Sequence, residues 1–206
     1  MTNITADHTE EHRDLPTFHP LPEGFRETIR QLALTRFKQH CVYETAELGD
    51  PEGDSKIVHA YWMSLIMVAN SSIKVMFKAH YNVSEMKVIA KDSIEKNEKG
   101  EITDIAAADF MREYANLVGG VVKATLETVG IAAGVSLPLV TRGFDEIFVN
   151  FNKATSNYID RFQIRTSDGS VFCSFHVECN DASVIDLITK VPAPTQDDTG
   201  GDVEFL

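Results

Sequence analysis

The stretch DFMREYANLVGG, Asp109 to Gly120, lies within a run of helical character extending from about Ala107 to Val129 and stopping at Gly130, a residue type suited to a helix C-cap. Two glycines in a helix interior are unexpected, since each costs ~1 kcal/mol relative to alanine. On a wheel of about 3.6 residues per turn, Phe110, Tyr114, Leu117, Val118, Val121 and Val129 fall on one side, the expected core face. Asp109, Glu113, Asn116, Gly120, Lys123 and Glu127 line the other, which is expected to be exposed. Any solvated helix shows a polar stripe of this kind. Gly120 is the exception, because a solvated position one turn beyond Asn116 favours Ala, Lys or Glu. Either another molecule's backbone must come close there, or the glycine serves packing within the protein. Gly119 points sideways and fits close internal packing.

Working outward, EGFRETIRQLALTRFKQHCV carries Phe25, Ile29, Leu32, Ala33 or Leu34, and Phe37 at helical spacing. ELGDPEGDSK reads as a loop ending in Asp54 or Ser55 as a helix N-cap. The apolar residues from Lys56 to His80 cover most of a helix circumference and predict a long buried helix. EMKVIAKDS and GEITD flank the polar EKNEKG and predict a hairpin. GVSLPLV, with Pro138, reads as a loop or short strand. DEIFVNFN, NYIDRFQIRT and SVFCSFHVEC read as strands, the last two joined at Asp168-Gly169, and ASVIDLITKV as one or two helical turns. The expected class is α+β, an antiparallel-rich sheet with helices packed on one face. The expected organisation is a flexible segment 1–22, a single domain 23–191 beginning with an added helix, and an acidic tail 192–206.

The 206 residues carry 31 Asp and Glu against 19 Lys and Arg, a net charge of −12, which argues against a nucleic-acid or anionic-membrane partner. The longest apolar run, Ala60 to Ala69, is about half a bilayer span, and the polar N-terminus lacks a signal-peptide core. These features predict a cytoplasmic protein. Cys41, Cys173 and Cys179 form no CxxC; the latter two share an apolar strand face and read as reduced core thiols. His8, His12 and His19 lack the tight spacing of a metal site, and no GxSxG or metal-hydrolase motif is present.

Asp109, three residues, Glu113, two residues and Asn116, followed downstream by Pro138, resemble the signature of the CheC/CheX family of chemotaxis phosphatases. The likeness extends over about residues 105–180, and the predicted helix 56–80 resembles the family's first long helix. Only one motif is present: Asn70 has Met67 where a second Glu would stand, so the chain looks like single-site CheX more than two-site CheC. The resemblance implies that Glu113 and Asn116 enter the active site of a phosphorylated CheY-like receiver domain. Glu113 would engage a receiver lysine and Asn116 would orient the attacking water. Asp109, Gly120, Lys123 and Pro138 would belong to the partner-binding surface. The protein would need no cofactor or metal of its own, the receiver supplying Mg²⁺ and the phospho-aspartate, and a homodimer is expected. Two departures stand out: about fifty additional N-terminal residues, and a segment from Asn82 to Ala107 that looks shorter than the family's by a strand and a helix. A non-catalytic binding or scaffold protein of the same fold is the alternative. Residue by residue, Glu113 and Asn116 can also be solvated polar positions, and Asp109 a residue favourable to the helix dipole. Lys123 can pair with Glu127 or Glu113, Pro138 can shape a loop, and Trp62 can be core.

Overall fold

The computed structural model describes residues 18–51, 62–142 and 156–194. The expected N-cap at Asp54 or Ser55, the strand DEIFVNFN, His8, His12 and most of the two terminal segments lie outside the described residues. The described elements run β1 (Phe18–Pro20), α1 (Glu23–Cys41), β2 (Glu47–Gly49), β3 (Trp62–Ala69), β4 (Ile73–Tyr81), α2 (Val83–Ile89), α3 (Asp104–Thr128), β5 (Gly134–Val135), β6 (Leu139–Arg142), β7 (Ser156–Thr166), β8 (Gly169–Cys179) and α4 (Ala182–Ile188). The class is α+β, as predicted.

The sheet is ordered β1-β7-β8-β4-β3-β5, with β2 also on β7 and β6 also on β3. All its pairings are antiparallel except β1 with β7. One face, with Ile66, Val68, Val75, Phe77, Phe162, Phe175 and Val177, forms a single core with residues from all four helices. The opposite face carries a smaller cluster of Met63, Leu65 and Met76, in register with the buried polar residues Lys78, Ser174 and His176.

The largest departure from expectation is at residues 62–80, predicted as part of a helix and found within the antiparallel hairpin β3–β4. These strands lie inside the sheet and are buried on both faces, so their side chains read as a continuous apolar run rather than an alternation. The polar Asn70-Ser71-Ser72 marks the turn. Asn70 Oδ1 accepts from the Ser72 and Ile73 amides at 2.8 and 2.9 Å, and its Nδ2 donates to the Ala132 carbonyl at 2.7 Å. The expected hairpin from EMKVIAKDS to GEITD is also absent. Asn82 caps α2 by accepting from the Ser84 amide, and Asn97 closes a turn by accepting from the Lys99 and Glu101 amides. The β7–β8 hairpin is present, but its loop is Ser167-Asp168, with Thr166 and Gly169 as the closing pair.

α3 begins three residues earlier than expected, at Asp104, because the Thr103 side chain accepts from the Ala106 amide at 3.1 Å. At its end Gly130 adopts φ 81°. The Gly130 amide donates to the Glu127 carbonyl and the Ile131 amide to the Leu126 carbonyl, both at 3.0 Å. Buried Leu126 and Ile131 accompany this left-handed stop. The helix rests on the sheet through Met111, Tyr114, Ala115, Val118, Val122 and Leu126. Tyr114 is fully buried, stands edge-on to Phe37 and Phe77, and donates its hydroxyl hydrogen to the Ala33 carbonyl of α1 at 3.1 Å. The buried arc is rotated slightly from the predicted one: Val121 is buried as expected, whereas Phe110, Leu117 and Val129 are only partly so.

Gly119 has an internal explanation. A Cβ there would lie 3.1 Å from two carbons of the Ile66 side chain, which has no exposure. We predict that Gly119→Val lowers stability by about 1–3 kcal/mol through overpacking, measured by urea unfolding; an unchanged midpoint would contradict the close approach.

All three cysteines are free and buried, and no thiol is activated. Burial pushes Cys41 up to about 12, Cys179 up to about 11, and Cys173 higher still. A thiol reagent is expected to react slowly with the native chain near neutral pH and to titrate three thiols in denaturant; fast native reaction at any of them would refute this packing.

Candidate functional site

The exposed arc of α3 is bounded on one side by α1, which packs antiparallel to it, and on the other by the sheet edge at β5 and β6. Asp109, Glu113 and Asn116 are exposed, while Gly120 and Lys123 are half-buried. Tyr114 and Ala115, between the last two motif residues, are buried, so burial of one arc turns Glu113 and Asn116 together to the outside. Asn116 Nδ2 lies 3.4 Å from Glu113 Oε1, a long hydrogen bond that keeps the amide and carboxylate side by side. Asp109 pairs with Arg112 at 3.2 Å and Lys123 with Glu127 at 3.5 Å. These surface pairs add little stability, but they neutralise the charges on both sides of the Glu113–Asn116 pair.

Sequence reasoning missed His40 at this site. From the last turn of α1 its ring stacks on Phe110 with centroids 3.8 Å apart, and Nε2 lies 2.9 Å from the Phe110 carbonyl. The contact requires a protonated Nε2 acting as donor. Burial lowers the His40 pKa below its usual 6.5, partly offset by the Phe110 carbonyl and the nearby Glu113 carboxylate. Nothing in the sequence pairs residues 40 and 110; only the antiparallel packing of α1 on α3 does.

Pro138 is not on the helix. It lies between β5 and β6, in an edge strand that carries one extra residue relative to β3: Val68 faces Val135, but Leu65 faces Leu139. Pro138 has no amide hydrogen and fits a position where the ladder is interrupted. Ser136 bridges the irregularity, its hydroxyl oxygen accepting from the Met67 amide at 3.1 Å and its amide donating to the Met67 carbonyl at 2.8 Å. Trp62, expected in the core, is half-buried near this edge, with the Arg142 guanidinium 4.2 Å from its ring centroid. Among the described residues no cluster of three or more His, Cys, Asp or Glu could hold a metal ion, and no helix is long and apolar enough to cross a membrane.

This arrangement of a helix-covered antiparallel sheet recurs in solved structures. A CheC-like superfamily protein from Shewanella sp. PV-4 superposes with a TM-score of 0.59 at 17% identity, over 76% of this chain and 98% of that one. The chemotaxis protein CheX from Vibrio vulnificus gives 0.59 at 16% identity, over 78% and 100%. The fold is CheC/CheX-like. A third chain of this fold, from the CheX–CheY–BeF3–Mg²⁺ complex of Borrelia burgdorferi, gives 0.57 at 15% identity, over 76% and 98%. No protein-family model and no curated protein sequence matches the chain. At these identities the likeness is one of fold. The superpositions span nearly the whole of these CheC/CheX chains.

In the folded chain His40 releases its proton at lower pH than in the unfolded chain, which therefore binds the proton first as pH falls. Stability should fall as pH drops through about 6.5 and level off below the folded pKa. His40→Gln should flatten that dependence in urea titrations from about pH 7.5 to about pH 5; an identical pH profile in the variant would remove His40 as its source.

Proposed function

We propose that this chain is a CheX-like phosphatase that hydrolyses the phospho-aspartate of a CheY-like receiver domain. In this reading it acts in the cytoplasm, as a homodimer, in chemotaxis or related two-component signalling. The observation that carries the reading is the exposed Glu113–Asn116 pair, side by side on a well-capped helix. A CheX of the same fold is known in complex with CheY.

The chemistry suits these two side chains. An amide is too weak a base to take a proton from water, but it offers two donors and an acceptor. Asn116 would hold a water in line with the phosphorus. The water oxygen would bond to phosphorus as the acyl-phosphate P–O bond breaks, releasing inorganic phosphate and the receiver's aspartate. Mg²⁺ on the receiver would offset charge on the phosphoryl oxygens. Such a reaction depends on positioning and electrostatics more than on covalent participation. Glu113, acceptor-only when ionised, would take a hydrogen bond from the receiver's lysine. To do so it would exchange its long contact with Asn116 for a charge-assisted one, freeing the amide for water. Gly120, half-buried one turn beyond Asn116, would leave room for the receiver's loops. Asp109, Lys123 and Pro138 would line the rest of the contact.

The test is a dephosphorylation assay against a panel of receivers phosphorylated with a small-molecule phosphodonor, with binding measured in parallel. Asn116→Ala is expected to lower stimulated dephosphorylation on the order of 10²-fold while binding persists, with stability within ~0.5 kcal/mol of wild type. Glu113→Ala should weaken binding and lower the rate through docking. Gly120→Lys should block approach while leaving the helix intact or more stable by up to ~1 kcal/mol. A wild-type chain that binds a receiver without accelerating its dephosphorylation would instead establish the scaffold alternative.

A further inference from the structure

The rim of the stripe on the sheet-edge side carries an unusual side chain. Arg142, the last residue of β6, is exposed, yet its guanidinium is held 4.2 Å from the centroid of the half-buried Trp62 ring. The register explains this placement. Arg142 faces Trp62, and Trp62 faces Tyr81 on its other side, with all three on the helix-covered side of the sheet. Gly119 sits over Ile66, four residues further along β3. Four strand residues span about 13 Å, which corresponds to about nine residues of helix at ~1.5 Å each. Arg142 is therefore level with Asp109 and Phe110, at the N-terminal end of the stripe. Two electrostatic neighbours agree: the Tyr81 hydroxyl feels the Asp109 charge, and the Asp104 carboxyl feels Arg142.

The other two cations of the stripe, Arg112 and Lys123, are engaged by Asp109 and Glu127. Asp104 is engaged by Lys87, whose hydrogen bond is the main cause holding its carboxyl below the usual range, with a smaller contribution from Arg142. No carboxylate lies within ion-pair distance of Arg142 among the described residues. A guanidinium resting on an aromatic ring keeps its N–H edges directed outward, in a fork that matches a carboxylate. Its flat seat also limits the rotamer freedom lost on binding.

We propose that Arg142, seated on Trp62, is the charged anchor by which this chain grips an acidic side chain on the receiver domain, beside the Glu113–Asn116 pair. This rests on the receiver reading above and adds the recognition chemistry to it. The occupant is a carboxylate rather than the phosphoryl group, because Asp109 already lies about 10 Å along the helix axis from Asn116. Charge complementarity favours an acidic partner surface. A chain of net charge −12 repels such a partner at long range, so a docking-rim cation with no carboxylate in ion-pair reach among the described residues would determine where encounter succeeds.

The experiment measures binding of the full chain to a beryllofluoride-activated receiver at low and high salt. Arg142→Ala should weaken binding by about 5-fold or more at low salt and make it less salt-dependent. Arg142→Lys, which keeps the charge and loses the fork, should recover salt dependence but only part of the affinity. Trp62→Leu should weaken binding in the same direction by unseating the guanidinium. Circular dichroism melts establish that each variant is folded, and if Arg142→Ala does not fold, Arg142→Lys carries the test. Should the wild type bind no activated receiver, the receiver reading and this proposal both fall. Should it bind, with Arg142→Ala and Arg142→Lys within about 2-fold of wild type and equally salt-dependent, this proposal alone falls.

Discussion

Tyr114 sets the roll of α3, and the outward face of the helix follows from that roll. Its ring is enclosed by Phe37 and Phe77 and its hydroxyl is spent on the Ala33 carbonyl. A buried tyrosine hydroxyl without a partner would cost a desolvation penalty of ~1–3 kcal/mol, so the helix cannot turn freely about its axis. Gly119 reinforces this five residues on, where absence of a Cβ lets the helix descend on Ile66. With one arc held at both places, Glu113 and Asn116 have only the outward direction available. The exposure of the pair is a consequence of core packing beneath it rather than of any attraction between its members, whose mutual hydrogen bond is long.

The flanks of that face come from elements remote in sequence. α1 brings His40 against Phe110, while the sheet edge brings Arg142 and Trp62. α1 is itself tied to the far side of the sheet by Arg30, which donates to both Asp160 oxygens at 2.7 Å and also pairs with Asp50. This bidentate, largely sheltered pair is of the stronger kind. The stripe is thus a local feature of one helix with a non-local frame, and any partner must fit both.

A phosphatase of this design would divide the chemistry between two proteins. The receiver would hold the phosphoryl group and its metal ion, and this chain would add an amide, a carboxylate and a shape. An amide and a carboxylate held side by side on one helix have positioning as their natural role. Specificity would then reside in the rim, where charge and shape can vary without altering the pair.

The sequence by itself determined the elements whose signals are local. α1 and α3 showed their 3.6-residue period, Gly130 its stop, and the β7–β8 hairpin its turn residues one place from where they act. The Glu113–Asn116 stripe was legible because both residues lie on one helix, so spacing alone places them on one face. Tertiary structure decided whatever depended on burial of two faces or on distant pairing. Residues 62–81 alternate poorly because the inner strands of the sheet are apolar on both sides, so periodicity could not separate strand from helix. The Asn70 turn was the available signal, and the length of the apolar run outweighed it. The burial of Gly119 against Ile66, the stacking of His40 on Phe110 and the seating of Arg142 on Trp62 join residues between 53 and 80 positions apart. No local pattern encodes such meetings, because the closeness of those residues exists only once the sheet has formed and the helices have packed on it.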